Sequence, residues 1–257
     1  MSLATEAIQA SRGGATIDVP QVLMNYARVS RGPWRLKAFI DPRGRPVNSN
    51  FVTVRPKGCS LETLWALLNS PVANAYAYCH LGKRHNIVGD LRRIPMPKGI
   101  AFDEIATAAR GYLTAAATEA GCGELLRLMQ KVDAAVLRQY ALPIELERAL
   151  LELFTGWNRV GVPFVQDSYF PSELTHPMRY SDFVAYESDW RTTNRRRSDL
   201  IDEAIEETIT DSEATELAAL QEYADYYIAK VAPRPLLELE RIEKRLLEKI
   251  ASRKEGK

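Results

Sequence analysis

Apolar residues follow two different rhythms along this chain. Up to about Gly99 they fall in short runs punctuated by Gly and Pro, the signature of strands and turns. Val22 to Val29 follows Pro20, and Trp34 to Ile40 follows Gly32-Pro33. Phe51 to Val54 is rich in β-branched residues, and the segment Asp41-Pro42-Arg43-Gly44-Arg45-Pro46 reads as a strong turn. Three strands are therefore predicted. From Ser60 the period lengthens, with Leu61, Leu64, Trp65, Leu68 and Val72 three or four apart. This predicts a helix capped by Ser60 and running to about Cys79, kinked or divided at Pro71. A basic loop over 82–86 follows, then Ile94-Pro95-Met96-Pro97, whose prolines forbid a helix.

Residues 101–165 read as helical. Leu125, Leu128, Met129, Val132, Val136 and Tyr140 form one apolar stripe, and Pro143 is placed to start a new helix from Ile144 to about Phe154. A polar, aromatic stretch runs from Gln166 to Tyr186, and the basic run Arg191 to Arg197 follows it. Ten acids and no Lys or Arg then lie between Asp199 and Asp225. Thr210-Asp211-Ser212-Glu213 is a capping box for a helix to about Lys230, and Pro233 and Pro235 separate it from a charged amphipathic helix over 236–250. The predicted class is α+β, an N-terminal mixed sheet with a packed helix followed by a mainly helical C-terminal half. The expected divisions are an α+β domain over 1–100, a helical tail over 101–165, a linker rich in aromatic and basic residues over 166–197, and an acidic then charged helical module over 198–257. No internal repeat is visible.

Composition narrows the class. The 257 residues are 46% hydrophobic and 26% charged, an ordinary globular profile. No run approaches the length of a membrane span, and residues 1–10 lack the pattern of a signal peptide. Three scattered cysteines fit a reducing compartment, so a cytoplasmic protein is expected. The net charge of +1 hides an asymmetry. Residues 1–100 carry fourteen Lys or Arg against five acids, while 101–257 carry twenty against twenty-eight. A basic part able to hold a polyanion is thus joined to an acidic part.

Catalytic signatures are scarce. His80, His85 and His176 have no suitably spaced acid and nucleophile for a triad, and Cys79-His80 with His85 lacks zinc-ligand spacing. No Walker-type loop or dinucleotide fingerprint occurs. Glu119-Ala120-Gly121-Cys122-Gly123-Glu124 superficially matches a cofactor-holding glycine loop. Ala-rich helical sequence precedes it in place of a buried strand, so it is expected to be a turn between helices. The basic clusters offer more. Arg28, Arg31, Arg35, Lys37, Arg43 and Arg45 fall among Tyr26, Trp34 and Phe39, and Lys83, Arg84, His85, Arg92 and Arg93 form a second group. Guanidinium groups clamp phosphates and read guanine, and Asn25, Asn48, Asn50 and Asn86 could read adenine. The same pattern also fits aromatic core residues with arginines solvating the sheet edges.

Pro20 to Arg35 (PQVLMNYARVSRGPWR) resembles the start of the target recognition domain of N6-adenine DNA methyltransferases from restriction–modification systems. Phe51 to Arg55 is similar to that family's closing strand. Leu67 to Tyr76, with its Leu-Asn-Ser, resembles a helix of the domain, and Ile94 to Pro97 resembles the segment that ends it. Val132 to Val136, Tyr140 to Leu142 and Arg159 to Phe164 resemble the helical tail that follows. The resemblance covers about residues 18–165. The family's Asn/Asp-Pro-Pro-Tyr/Phe motif, which holds a flipped adenine, is missing, because no Pro-Pro dipeptide occurs in the chain. The resemblance therefore implies a specificity module, non-catalytic by itself and without a cofactor, that assists a DNA adenine N6-methyltransferase. The implied partners are double-stranded DNA and a separate methyltransferase or nuclease subunit, with no membrane. The implied DNA-binding residues are Asn25, Arg28, Arg31, Arg35, Lys37, Arg43, Arg45, Lys83, Arg84, His85, Arg92 and Arg93. Replacing Arg31 or Arg35 is expected to weaken DNA binding without unfolding the chain. The alternative is a helical protein–protein adaptor, or a split-gene remnant, whose sheet no longer binds DNA.

Overall fold

The computed structural model describes residues 17–81, 88–97, 102–233, 239 and 241–247. The fold is α+β. Strands β1 (Gln21–Asn25), β2 (Ala38–Asp41) and β3 (Phe51–Val54) form one sheet in the order β2-β1-β3. The sheet is wholly antiparallel, which corrects the expectation of a mixed one. β3 does not pair with β2: residues 42–50 carry the chain to the free edge of β1, where β3 runs antiparallel to it. Strand alternation divides the sheet into two faces. Ala38, Met24 and Val52 lie in one cross-strand row and are all buried, while the next row, Phe39, Leu23 and Thr53, faces outward.

Two predicted strands end earlier or start later than their apolar runs. β1 stops at Asn25 and β2 begins only at Ala38, because side chains intercept the backbone groups between them. The N–H groups of Arg35 and Leu36 donate to Asn74 Oδ1, and that of Lys37 donates to Asn25 Oδ1.

The predicted division at Pro71 is present. α1 (Leu61–Asn69) is capped by the Ser60 hydroxyl, which accepts from the Thr63 N–H at 3.1 Å. Ser70 ends α1 and caps α2 (Pro71–His80), and Pro71 occupies the first turn, where its missing N–H costs nothing. After the short α3 (Val88–Leu91) come α4 (Phe102–Ala117), α5 (Cys122–Tyr140) and α6 (Ile144–Glu152). The α4–α5 connection is a turn, as expected, though its left-handed residue is Glu119 and not a glycine. The buried faces of β1, β2 and β3 pack with Leu64, Trp65 and Leu68 of α1. Ile105 and Tyr112 of α4 and Met129 and Val136 of α5 complete this core. Trp65 stacks on Tyr112 with ring centroids 5.7 Å apart.

The expected linker over 166–197 is corrected. Tyr169, Met178, Tyr180 and Phe183 are buried, and the stretch contains α7 (Tyr180–Ser188) and the start of α8 (Trp190–Ile205). Tyr169, Tyr180 and Phe183 are core, and the partly buried Phe170 packs against Tyr180 and Phe183. By contacts the chain forms two units. The first is residues 1–171 with 177–189, and the second is residues 172–176 with 190–257.

The second unit is an antiparallel helical hairpin of α8 and α9 (Asp211–Val231). Trp190 stacks on Tyr227 at 4.5 Å at one end, and Arg196 pairs with Glu216 at 3.0 Å further along. The predicted capping box is formed, with Thr210 and Glu213 bonding reciprocally. Residues 241–247 are helical within the predicted final helix.

Candidate nucleic-acid interface

The basic residues of the first unit separate into scaffold and surface. Asn25 closes the base of the β1–β2 connection. Its amide donates to the Ala27 and Arg35 carbonyls at 2.6 and 2.9 Å and accepts from Lys37 at 2.7 Å. Both ends of this amide are engaged with backbone, so its geometry serves the loop. Arg35 is only 8% exposed. Its guanidinium donates to the Gly32 and Leu81 carbonyls at 3.3 and 3.2 Å and lies over the Tyr78 ring. Burial, and then the neighbouring Arg28 charge, lower its pKa from the usual arginine value. Arg35 is thus part of the loop's scaffold: its side chain pins the loop to the end of α2.

Surface positions hold the other candidates. Arg31, Arg43, Arg45, Arg92 and Arg93 are exposed, and Arg28 and Lys37 are half-buried. Lys37 Nζ sits 4.9 Å from the centre of the outward Phe39 ring. Arg45 contacts Asp41 at 3.1 Å, and the Asp41 carboxylate also accepts from the Gln21 amide and the Arg45 N–H. Burial opposes ionisation of Asp41, but these hydrogen bonds outweigh it and hold the carboxyl below its ordinary range. Among the described residues, Arg31, Arg43, Arg92 and Arg93 have no ion-pair partner, which leaves their charge available. Lys83, Arg84 and His85, with Asn86, lie outside the described residues. Of the aromatics interleaved with the first cluster, Trp34 is core, Tyr26 is half-buried and Phe39 is exposed.

What holds the basic loop is a set of polar residues that sequence periodicity does not mark. Asn69 clamps β2, accepting from the Ala38 N–H at 3.0 Å and donating to the Ala38 carbonyl at 3.2 Å. Asn74 accepts from Arg35 and Leu36, each at 2.8 Å, and donates to Ser70 O at 3.0 Å. The Leu-Asn-Ser-Pro segment is thus a bracket that fastens α1 and α2 to the sheet edge. Behind it, Arg159 bonds Asp133 and the Asn69 carbonyl and lies over Trp34. The Tyr169 hydroxyl donates to Asp133 at 2.9 Å. Burial pushes the Asp133 carboxyl up against the pull of Arg159 and Tyr169, and the Asp133 charge holds Arg159 up against its own burial. One sequence signal could have marked Asp133: it is a lone acid between Val132 and Ala134 in the apolar stripe of α5.

The segment after α6 reaches back to the same loop. Trp34 Nε1 donates to the Trp157 carbonyl at 3.2 Å, and the six-membered ring of Trp157 lies against Gly32. A Cβ at Gly32 would come within 2.2 Å of that ring, so no larger residue fits without displacing it. Gly161 abuts the Lys37 side chain in the same way. Residues 156–161 therefore brace the basic loop along its length.

Comparison with protein-family models, curated proteins and solved structures gives no match. Arg31 lies on the bracketed loop, while the exposed Arg43, Arg92, Arg93 and Phe39 lie elsewhere on the first unit; exposed guanidinium groups are suited to a phosphate backbone and to base edges. Among the described residues, no group of three or more His, Cys, Asp or Glu is arranged to hold a metal ion. No described helix is long and apolar enough to cross a membrane.

Proposed function

We propose that this chain is the sequence-specific DNA-binding module of a restriction–modification type DNA methyltransferase system, non-catalytic by itself. The observation that carries the proposal is the exposed set Arg31, Arg43, Arg92 and Arg93, without ion-pair partners among the described residues, on a unit whose basic loop is fastened by buried side chains. Cations held on a fixed frame lose little entropy when they meet phosphates, and they set the register from which bases are read. Arg28, Arg31, Arg43, Arg45, Arg92 and Arg93 neutralise phosphates of double-stranded DNA, and side chains on the strand loops read base edges. Asn25 and Arg35 act by positioning the loop. The second unit, with ten acids between Asp199 and Asp225, repels a polyanion and serves a separate methyltransferase or nuclease subunit.

Fluorescence anisotropy with a random-sequence duplex, titrated over several salt concentrations, tests this. A phosphate clamp gives log K falling linearly with log salt, at a slope near −0.9 per contact. A slope equivalent to about four or more contacts supports the module and justifies a search for its preferred site. Absence of binding at low salt favours the second reading, a helical protein–protein adaptor. That reading draws on the exposed Leu239, Ile242 and Leu246, which recur at helical spacing on the last described segment. Recovery of a stable protein partner from nuclease-treated extract would then identify what the helices hold.

A further inference from the structure

Of the four tryptophans, Trp34 and Trp65 are buried and Trp190 is half-buried, whereas Trp157 is 46% exposed. An exposed indole would ordinarily sit on a mobile tip, but this one is tightly mounted. The backbone N–H of Trp157 donates to the Phe154 carbonyl at 3.0 Å, and its backbone carbonyl accepts from Trp34 Nε1 at 3.2 Å. Gly156, in the left-handed region at φ +74°, donates to the Asp167 carbonyl at 2.8 Å. Two residues on, Arg159 is anchored in the buried Asp133 pair. The ring rests on Gly32, whose neighbour Arg31 is exposed and unpaired, with Arg28 one turn of loop away. An aromatic ring packed on the loop that carries Arg28 and Arg31 matches a surface that takes a base and its flanking phosphates.

We propose that Trp157 is a base-stacking residue of this interface, receiving a nucleobase that has left the duplex stack while Arg28 and Arg31 hold the adjoining backbone. The inference rests on the DNA-binding function proposed above and names the part of the site that senses an unstacked base. Gly32 is part of the same device, because any side chain there displaces the ring. Stacking is sequence-tolerant, since every base has a π-face, so Trp157 contributes affinity for distorted DNA while groove contacts select the sequence.

The test compares two short duplexes, one fully paired and one with a central unpaired adenine, binding the full-length chain at low salt. The wild type should bind the bulged duplex about tenfold more tightly, within the range of one base–aromatic stack. Trp157→Phe should keep most of that preference. Trp157→Leu, which retains apolar bulk without a π-face, should abolish it, and Gly32→Ala should reduce it by shifting the ring. Circular dichroism that matches the wild type establishes that each variant is folded. Equal wild-type affinity for the two duplexes, or equal behaviour of the Phe and Leu variants, overturns the stacking role while leaving DNA binding in place. Failure to bind either duplex overturns the DNA-binding function and this inference together.

Discussion

Arg159 grips Asp133 with both terminal guanidinium nitrogens, at 2.6 and 3.2 Å, where both side chains are nearly sealed from solvent. The pair lies at the centre of the first unit's polar scaffold. From it Arg159 reaches the Asn69 carbonyl and the Trp34 ring, and Asp133 reaches Tyr169. A buried ion pair contributes little net stability over an apolar pair of the same shape, but losing one partner strands the other's charge. Its role here is to register α1, α5 and the segment after α6 against the basic loop.

Removing either partner alone should therefore be costly. Asp133→Ala and Arg159→Ala are each expected to destabilise the protein by about 3–5 kcal/mol. Asp133→Leu combined with Arg159→Met should cost far less than the sum. Urea unfolding of the single and double variants measures the coupling, and additive losses would contradict it.

Asn74 presents a single carbonyl oxygen to two backbone N–H groups that no strand partner satisfies. Asn74→Leu should cost about 1–3 kcal/mol for each orphaned donor. Amide hydrogen exchange at Arg35 and Leu36 should accelerate. Asn74→Asp retains the acceptor and should protect both amides better than the leucine variant does.

Arg31 and Arg35 are four residues apart, yet one is surface and the other scaffold. Arg31→Ala and Arg43→Ala should each reduce the salt slope of DNA binding by about 0.9, the loss of one phosphate contact, with thermal unfolding unchanged. Arg35→Ala should lower stability by about 1.5–3 kcal/mol, the scale of a lost charged hydrogen bond. Wild-type salt slopes in the Arg31 and Arg43 variants would remove those residues from the interface.

The depressed pKa of Asp41 sets a pH dependence with a definite sign. Its ionised form is favoured in the folded state, so its contribution is complete above the ordinary aspartate pKa, about 3.9. That contribution is lost as the pH falls through this value toward the lower folded one. Pairing of β1 with β2 should loosen below about pH 4, seen as faster amide exchange near Gln21 and Arg45, and Asp41→Asn should flatten that dependence.

Much of the local architecture was legible along the chain. Ser60, Pro71, Pro143 and the Thr210 capping box mark helix boundaries that the structure places within a residue or two, because caps and prolines act through bonds to their near neighbours. Phe51–Val54 is a strand as its composition predicts. The stretch over 166–197 reads as a linker in sequence because surface aromatic–basic sequence and core aromatic sequence look alike; only packing buries Tyr169, Tyr180 and Phe183.

The candidate site divides along the same physical line. That basic residues outnumber acids up to residue 100 and acids outnumber them after it is determined by the sequence alone, since charge is a property of composition. Whether a given arginine meets solvent or a carbonyl is decided only by the tertiary structure. Arg31 and Arg35 have the same side chain in the same cluster, and they part because Gly32 O and Leu81 O converge on one of them. The same holds for Trp157, 125 residues from the glycine it covers: no periodicity relates two positions that meet only when the helices between them pack.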